Sequence, residues 1–74
     1  MRKANAVVAS MQLEQSRVIT NLIAGGSVVL AASTMADLYV SRPNESKHIQ
    51  KLVEHKLTGS ALAEFRGLVE SILE

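Results

Sequence analysis

The sequence predicts an all-α fold, a small bundle of four helices in a single domain that spans residues 1–74. Apolar residues recur three, four and seven positions apart along most of the chain, which is the spacing of one face of an α-helix. Residues that stop helices divide this pattern at Gly25–Gly26, at Pro43 and at Thr58–Gly59. The four predicted helices cover residues of about 3–24, 27–40, 44–57 and 60–74. We expect helix 2 at the centre, with helices 1, 3 and 4 packed around it.

The first predicted helix, 3–24, has one apolar stripe and several polar faces. The stripe consists of Val7, Val8, Met11, Val18, Ile19, Leu22 and Ile23. Gly25–Gly26 ends the helix, and we expect one of the two glycines in the left-handed conformation that commonly closes helices. Ser27 is the predicted N-cap of helix 2, because its side-chain oxygen can accept a hydrogen bond from a free backbone N–H.

The second predicted helix, 27–40, is apolar on nearly all of its faces, and Asp37 is its only charged residue. Such a helix is normally buried on all sides, yet a chain of 74 residues is too short to surround it. Either a second subunit or a membrane must cover the remaining face. We therefore predict a homodimer, and the predicted interface residues are Val28, Val29, Met35, Tyr39 and Val40.

The third and fourth predicted helices, 44–57 and 60–74, are ordinary amphipathic helices. Pro43 separates helix 3 from helix 2 and is acceptable in a first helical turn, with Ser41 or Asn44 as the expected N-cap. Ser60 is the expected N-cap of helix 4. The predicted apolar stripes are Ile49, Leu52, Val53 and Leu57 in helix 3, and Leu62, Phe65, Val69, Ile72 and Leu73 in helix 4.

The composition excludes several classes of protein. The chain has 8 Lys and Arg against 7 Asp and Glu, a net charge of +1, and no cysteine. It is therefore neither a disulfide scaffold nor a cysteine-ligated zinc protein, and it lacks the strong positive charge of a protein that coats nucleic acid. His48 and His55 lie two helical turns apart, about 10 Å, too far for one metal ion. With no nucleophile beside a base and no paired carboxylates, we expect no enzyme, no metal site and no cofactor.

One segment, 34–57, resembles the helix-turn-helix family of DNA-binding proteins. Ser41-Arg42-Pro43 resembles the turn of that motif, and Ser46-Lys47-His48-Ile49 resembles the start of its recognition helix. The resemblance implies a transcriptional regulator whose recognition helix enters the major groove. The segment departs from the family pattern at Glu45, in a turn that lacks glycine, and in the stretch from Ala36 to Ser41, which is one residue short. The DNA-binding residues implied by the resemblance are Arg42, Asn44, Ser46, Lys47, His48 and Lys51.

Three functional hypotheses follow from these observations. The first is a small non-enzymatic regulator or adaptor, cytoplasmic, that homodimerises and binds a protein partner, because surplus apolar surface usually marks an interface. The second is the helix-turn-helix regulator, with DNA as the partner. The third is a small membrane protein with a single span at 18–40, since Val18–Ala36 contains no charged residue. Polar residues and the Gly25–Gly26 pair weaken the third hypothesis, and we expect no membrane partner.

Overall fold

The structure is a computed structural model that describes residues 2–74, with the side chains from residue 6 onward. Over these residues the chain forms four α-helices joined by short connections. They are α1 (Arg2–Ala24), α2 (Val28–Ser41), α3 (Pro43–Glu54) and α4 (Gly59–Leu73). The predicted all-helical fold of four helices is therefore confirmed, although several helix ends differ from the prediction.

The turn between α1 and α2 depends on Gly26. Its φ of 88° lies in the left-handed region, as the sequence predicted for one of the two glycines. The N–H of Ser27 donates to the carbonyl of Leu22 at 2.8 Å, and the N–H of Gly26 donates to that of Ile23 at 3.0 Å. This pair of bonds is the Schellman motif, which satisfies carbonyls at the end of α1. Ser27 occupies the predicted N-cap position of α2, but its side chain makes no capping hydrogen bond.

A single residue, Arg42, connects α2 to α3. Its N–H donates to the carbonyl of Leu38 at the end of α2, and its own carbonyl accepts the first hydrogen bonds of α3. Pro43 fits the first position of α3 because the N–H that proline lacks would have no partner there. Neither Ser41 nor Asn44 is the N-cap, so that prediction is wrong. The Ser41 hydroxyl instead donates to the carbonyl of Asp37 in its own helix, at 2.9 Å.

The connection between α3 and α4 begins earlier than predicted. Helix α3 ends at Glu54 rather than near residue 57. Leu57 lies in the connection after the helix, and its side chain is still buried in the core. Thr58, not Ser60, occupies the N-cap position of α4, and Gly59 starts the helix with a φ of 59°. This positive angle explains the glycine, since other residues are strained in that conformation.

Helix α2 lies at the centre of the bundle and contacts α1, α3 and α4, as predicted. The core around it is aliphatic except for one aromatic ring. Its largest fully buried side chains are those of Ile19, Met35, Ile49, Val53, Phe65 and Val69. Leu52, which the sequence placed on the buried stripe of α3, is only partly buried and lies outside the core cluster.

Helix α1 extends beyond the rest of the bundle. It has 23 residues against the 14 of α2, and Arg42, after the last turn of α2, reaches Met11. Residues 6–10 are all exposed. Val7, Val8 and Val18, which the sequence placed on the apolar stripe, are therefore exposed side chains, and Ile19 is the α1 residue at the centre of the core. Val7 and Val8 are exposed because α1 extends beyond the helices that could cover them, whereas Val18 lies beside the buried Ile19 on a side of α1 that faces away from the core.

Candidate interaction surfaces

Helix α2 presents an uncovered face that we call the outer face of α2. It consists of Val29, Leu30, Asp37 and Val40, all exposed. The three apolar members are 61%, 55% and 81% exposed, respectively. Asp37 is the only charged group along the whole helix. Together the three side chains form an apolar patch on one side of the helix, the kind of surface that can mark an interaction site.

The predicted interface residues divide between this face and the interior. Val29 and Val40 are on the outer face of α2. Met35 is fully buried among Ala31, Ala32 and other core residues, so its assignment to an interface is corrected. Val28 and Tyr39 are partly buried and pack against the core. Helix α2 thus turns the stripe centred on Met35 inward, and only the opposite stripe remains exposed.

The chain exposes more surface than a compact monomer of its mass is expected to expose. A compact monomer of 8.0 kDa is expected to expose about 4,500 Å², whereas this chain exposes 5089 Å². The surplus of about 600 Å² approaches the area that one partner contributes to a typical protein interface, about 800 Å².

Helix α3 presents a second uncovered surface, which we call the basic face of α3. Its members recur three, four and seven residues apart, so they share one side of the helix. All are exposed, and none is acidic. The face spans twelve residues, about 16 Å along the helix axis. It consists of Asn44, Lys47, His48 and Lys51 of α3 and of His55, the C-cap residue, whose backbone continues the helical conformation.

The residues implied by the helix-turn-helix resemblance only partly share that face. Asn44, Lys47, His48 and Lys51 lie on it. Ser46 is fully buried and donates to the Pro43 carbonyl at 3.1 Å, so it cannot contact DNA and its assignment is corrected. It lies three and seven residues before Ile49 and Val53, on the core side. Arg42 is exposed, but its guanidinium points to the sulfur of Met11 at 3.0 Å.

The junction before α3 also differs from the motif. Helix-turn-helix proteins join their two helices by a turn of about three or four residues. Here α2 ends at Ser41 and α3 starts at Pro43, so Arg42 alone forms the connection. The geometry therefore does not reproduce the turn that places a recognition helix in the major groove.

A chain of hydrogen bonds behind the basic face ties α3 to two other helices. The Tyr39 hydroxyl on α2 donates to Gln50 Oε1. Gln50 Nε2 donates to Glu54 Oε2 at 2.8 Å, one turn further along α3. Arg66 Nη2 on α4 donates to Glu54 Oε1 at 3.0 Å. We call these four residues the polar clasp, and the sequence analysis did not predict it.

The polar clasp also shifts the ionisation of its members. The hydrogen bond from Arg66 lowers the pKa of the Glu54 carboxyl; partial burial opposes this shift, and the hydrogen bond from Gln50 reinforces it. Burial raises the pKa of the Tyr39 hydroxyl, and the negative charge of Glu54 raises it further. At neutral pH the carboxylate is therefore ionised and the tyrosine is protonated, which is the arrangement that this chain of donors and acceptors requires.

The described part of the chain lacks three kinds of feature. Residues 6–74 enclose no pocket. Among the same residues, no three His, Cys, Asp or Glu side chains come together as metal ligands would. None of the described helices has both the length and the apolar character that crossing a bilayer requires. The uncharged segment 18–36 is divided between α1 and α2.

Comparison of the chain with protein-family models, with curated proteins and with solved structures finds no match. The function is therefore inferred from the outer face of α2 and the basic face of α3.

Proposed function

We propose that this chain is a small non-enzymatic helical adaptor or regulator that homodimerises through the outer face of α2 and binds a protein partner. The observation that carries the proposal is the exposure of Val29, Leu30 and Val40 on one side of the central helix. Covering such side chains removes apolar surface from water, which is the main favourable contribution to most protein association.

A second copy is the simplest occupant of this face. Twofold dimers are the commonest oligomers of soluble proteins, and a twofold interface requires a surface that fits itself. An antiparallel pairing of two α2 helices, centred near residue 35, meets this requirement. It places Val29 and Leu30 opposite Val40 of the second copy, and Ser33 opposite the second copy's Asp37. Each carboxylate can then accept a hydrogen bond from a serine hydroxyl, so the one charge on the face has a partner.

The experiment is to measure the mass in solution for three forms of the protein. Wild type should be a dimer at micromolar concentration by light scattering. In Val29→Ser/Val40→Ser, four substituted sites per dimer at about 1 kcal/mol each should weaken association about a thousandfold. Val18→Ser is the matched control, because Val18 is an exposed valine on α1, and it should remain a dimer.

Both substituted forms should fold, because the three valines contribute little to the core, and circular dichroism checks this. A wild-type mass of 8 kDa at high concentration would overturn the proposal. So would dissociation of the Val18→Ser control to the same extent as the double variant.

DNA binding is a second candidate function, favoured by the exposure of Asn44, Lys47, His48 and Lys51 on one side of α3. The one-residue junction at Arg42 does not favour it. Titration of the wild-type protein with a fluorescent mixed-sequence duplex at two salt concentrations decides between the candidates. Sub-micromolar binding at physiological salt would place DNA binding first.

A further inference from the structure

The basic face of α3 shares no residue with the outer face of α2. We propose that this face binds an acidic α-helix of a protein partner. The proposal rests on the proposed function in one respect, because it names the class of partner that the adaptor binds.

The spacing of the basic side chains matches that of an acidic helix. Lys47 and Lys51 are one turn apart, about 6 Å along the axis, and His55 follows one turn later. Carboxylates placed four residues apart on a partner helix have the same repeat. Asn44 and His48 add hydrogen-bonding groups beside the two ammonium groups. An acidic helix of three turns, lying along α3, can therefore meet one basic or polar group at every turn.

The polar clasp leaves the two lysines without a partner inside the protein. Glu54 lies three residues after Lys51, a spacing at which acidic and basic side chains commonly pair on a helix. Its two carboxylate oxygens are instead held by Gln50 and Arg66. The pair between Arg66 and Glu54 is the one salt bridge among the residues whose side chains the structure describes. The ammonium groups of Lys47 and Lys51 therefore remain available to an external carboxylate.

The same interactions hold the face rigid. Ile49 and Val53, on the opposite side of α3, are fully buried in the core, and the hydrogen bond from Tyr39 to Gln50 fixes α3 against α2. Because the backbone of α3 is already ordered, binding costs only the conformational entropy of the side chains on the face.

The size of the face favours an acidic helix over nucleic acid. A DNA duplex carries a phosphate charge about every 1.7 Å, and a stretch as long as this face would present about ten of them to two lysines. The whole chain has a net charge of only +1. An acidic helix of three turns is about as long as the face, so it has no further charges that lack a partner on this protein.

The test is fluorescence anisotropy with a labelled synthetic helix that carries glutamate at every fourth position among alanines. At low salt it should bind the wild-type protein, and added salt should weaken the binding. Lys47→Gln/Lys51→Gln should raise its Kd about tenfold. Lys56→Gln is the matched control, since Lys56 is exposed but lies outside the face, and it should change the Kd less than about twofold. Light scattering on the same samples reports the dimer independently.

The outcomes separate this proposal from the proposed function. Failure of the folded wild-type dimer to bind the acidic helix would overturn the acidic-helix proposal alone. An equal loss of affinity in Lys56→Gln would overturn it as well. Tighter binding to a mixed-sequence DNA duplex, or to vesicles that contain phosphatidylserine, would replace the acidic helix as the partner. A monomeric protein that binds the helix and loses affinity only in the double variant would support this proposal and overturn the dimer.

Discussion

Replacing Ile49 with alanine should destabilise the protein much more than replacing Leu52 with alanine, although each change removes three carbon atoms. Ile49 is fully buried in the core, whereas Leu52 is partly exposed and outside the core cluster. A buried carbon contributes about 0.8 kcal/mol and the cavity that remains adds to the loss, so Ile49→Ala should cost about 2.5–5 kcal/mol. Leu52→Ala should cost about 1 kcal/mol, because neighbouring groups and water can fill the space.

Thermal unfolding followed by circular dichroism measures this difference. For a domain of this size, each kcal/mol lowers Tm by about 4–8 °C, so Ile49→Ala should lower it by at least about 10 °C. Both variants and the wild type are compared at one protein concentration, because self-association makes Tm depend on concentration. Equal losses in the two variants, or a larger loss for Leu52→Ala, would show that the buried side of α3 is rotated from the one described.

Three further predictions concern single residues. Gly26→Ala should lower the free energy of unfolding by about 1–2 kcal/mol in a denaturant titration because Gly26 has a positive φ, whereas Gly25→Ala, whose added carbon meets only ordinary contacts, should be close to neutral. Gly67→Ala should raise the melting temperature, since Gly67 lies inside α4 with open space around it and alanine favours helices by about 1 kcal/mol. Because the pKa of Glu54 is lowered in the folded protein, its ionised carboxylate stabilises the fold at neutral pH, and this stabilisation is lost as the pH falls through the pKa of the folded state. The difference in free energy of unfolding between wild type and Glu54→Gln, measured by urea titration, should therefore shrink as the pH is lowered from neutrality.

Most of the secondary structure was predictable because it depends on local interactions. The positive φ of Gly26 and the position of Pro43 were predictable, because glycine adopts positive φ readily and proline is suited to the first position of a helix. The N-cap predictions at Ser41, Asn44 and Ser60 were wrong, because α3 and α4 begin at Pro43 and Gly59, directly after Arg42 and Thr58. At the start of α3 the N–H groups of Glu45 and Ser46 donate to the carbonyl of Arg42, and no capping side chain is used there.

The buried sides of the helices were harder to predict, because they depend on where the neighbouring helices end. The spacing in α1 places Val7 and Val18 on an apolar stripe, but no helix reaches the first of them and the second faces away from α2 and α3. Ser46 looked like a surface residue, although its position relative to Ile49 and Val53 places it on the core side.

The two surfaces differ in how much the sequence indicated. A central helix with one charged residue was a sufficient signal for an uncovered apolar face, but only the structure separates Val29 and Val40 from the buried Met35. The polar clasp had one local signal, the four-residue spacing of Gln50 and Glu54. Its other members come from α2 and α4, so tertiary packing alone brings them together.

The claim that a second copy covers the outer face of α2 is tested most directly by isotope-filtered nuclear Overhauser spectroscopy. The sample is an equal mixture of labelled and unlabelled protein, so that signals arise only between copies. The proposed dimer predicts contacts between the methyl groups of Val29 or Leu30 in one copy and those of Val40 in the other. Contacts between copies that involve only the exposed valines of α1, or no contacts at all in concentrated protein, would contradict it.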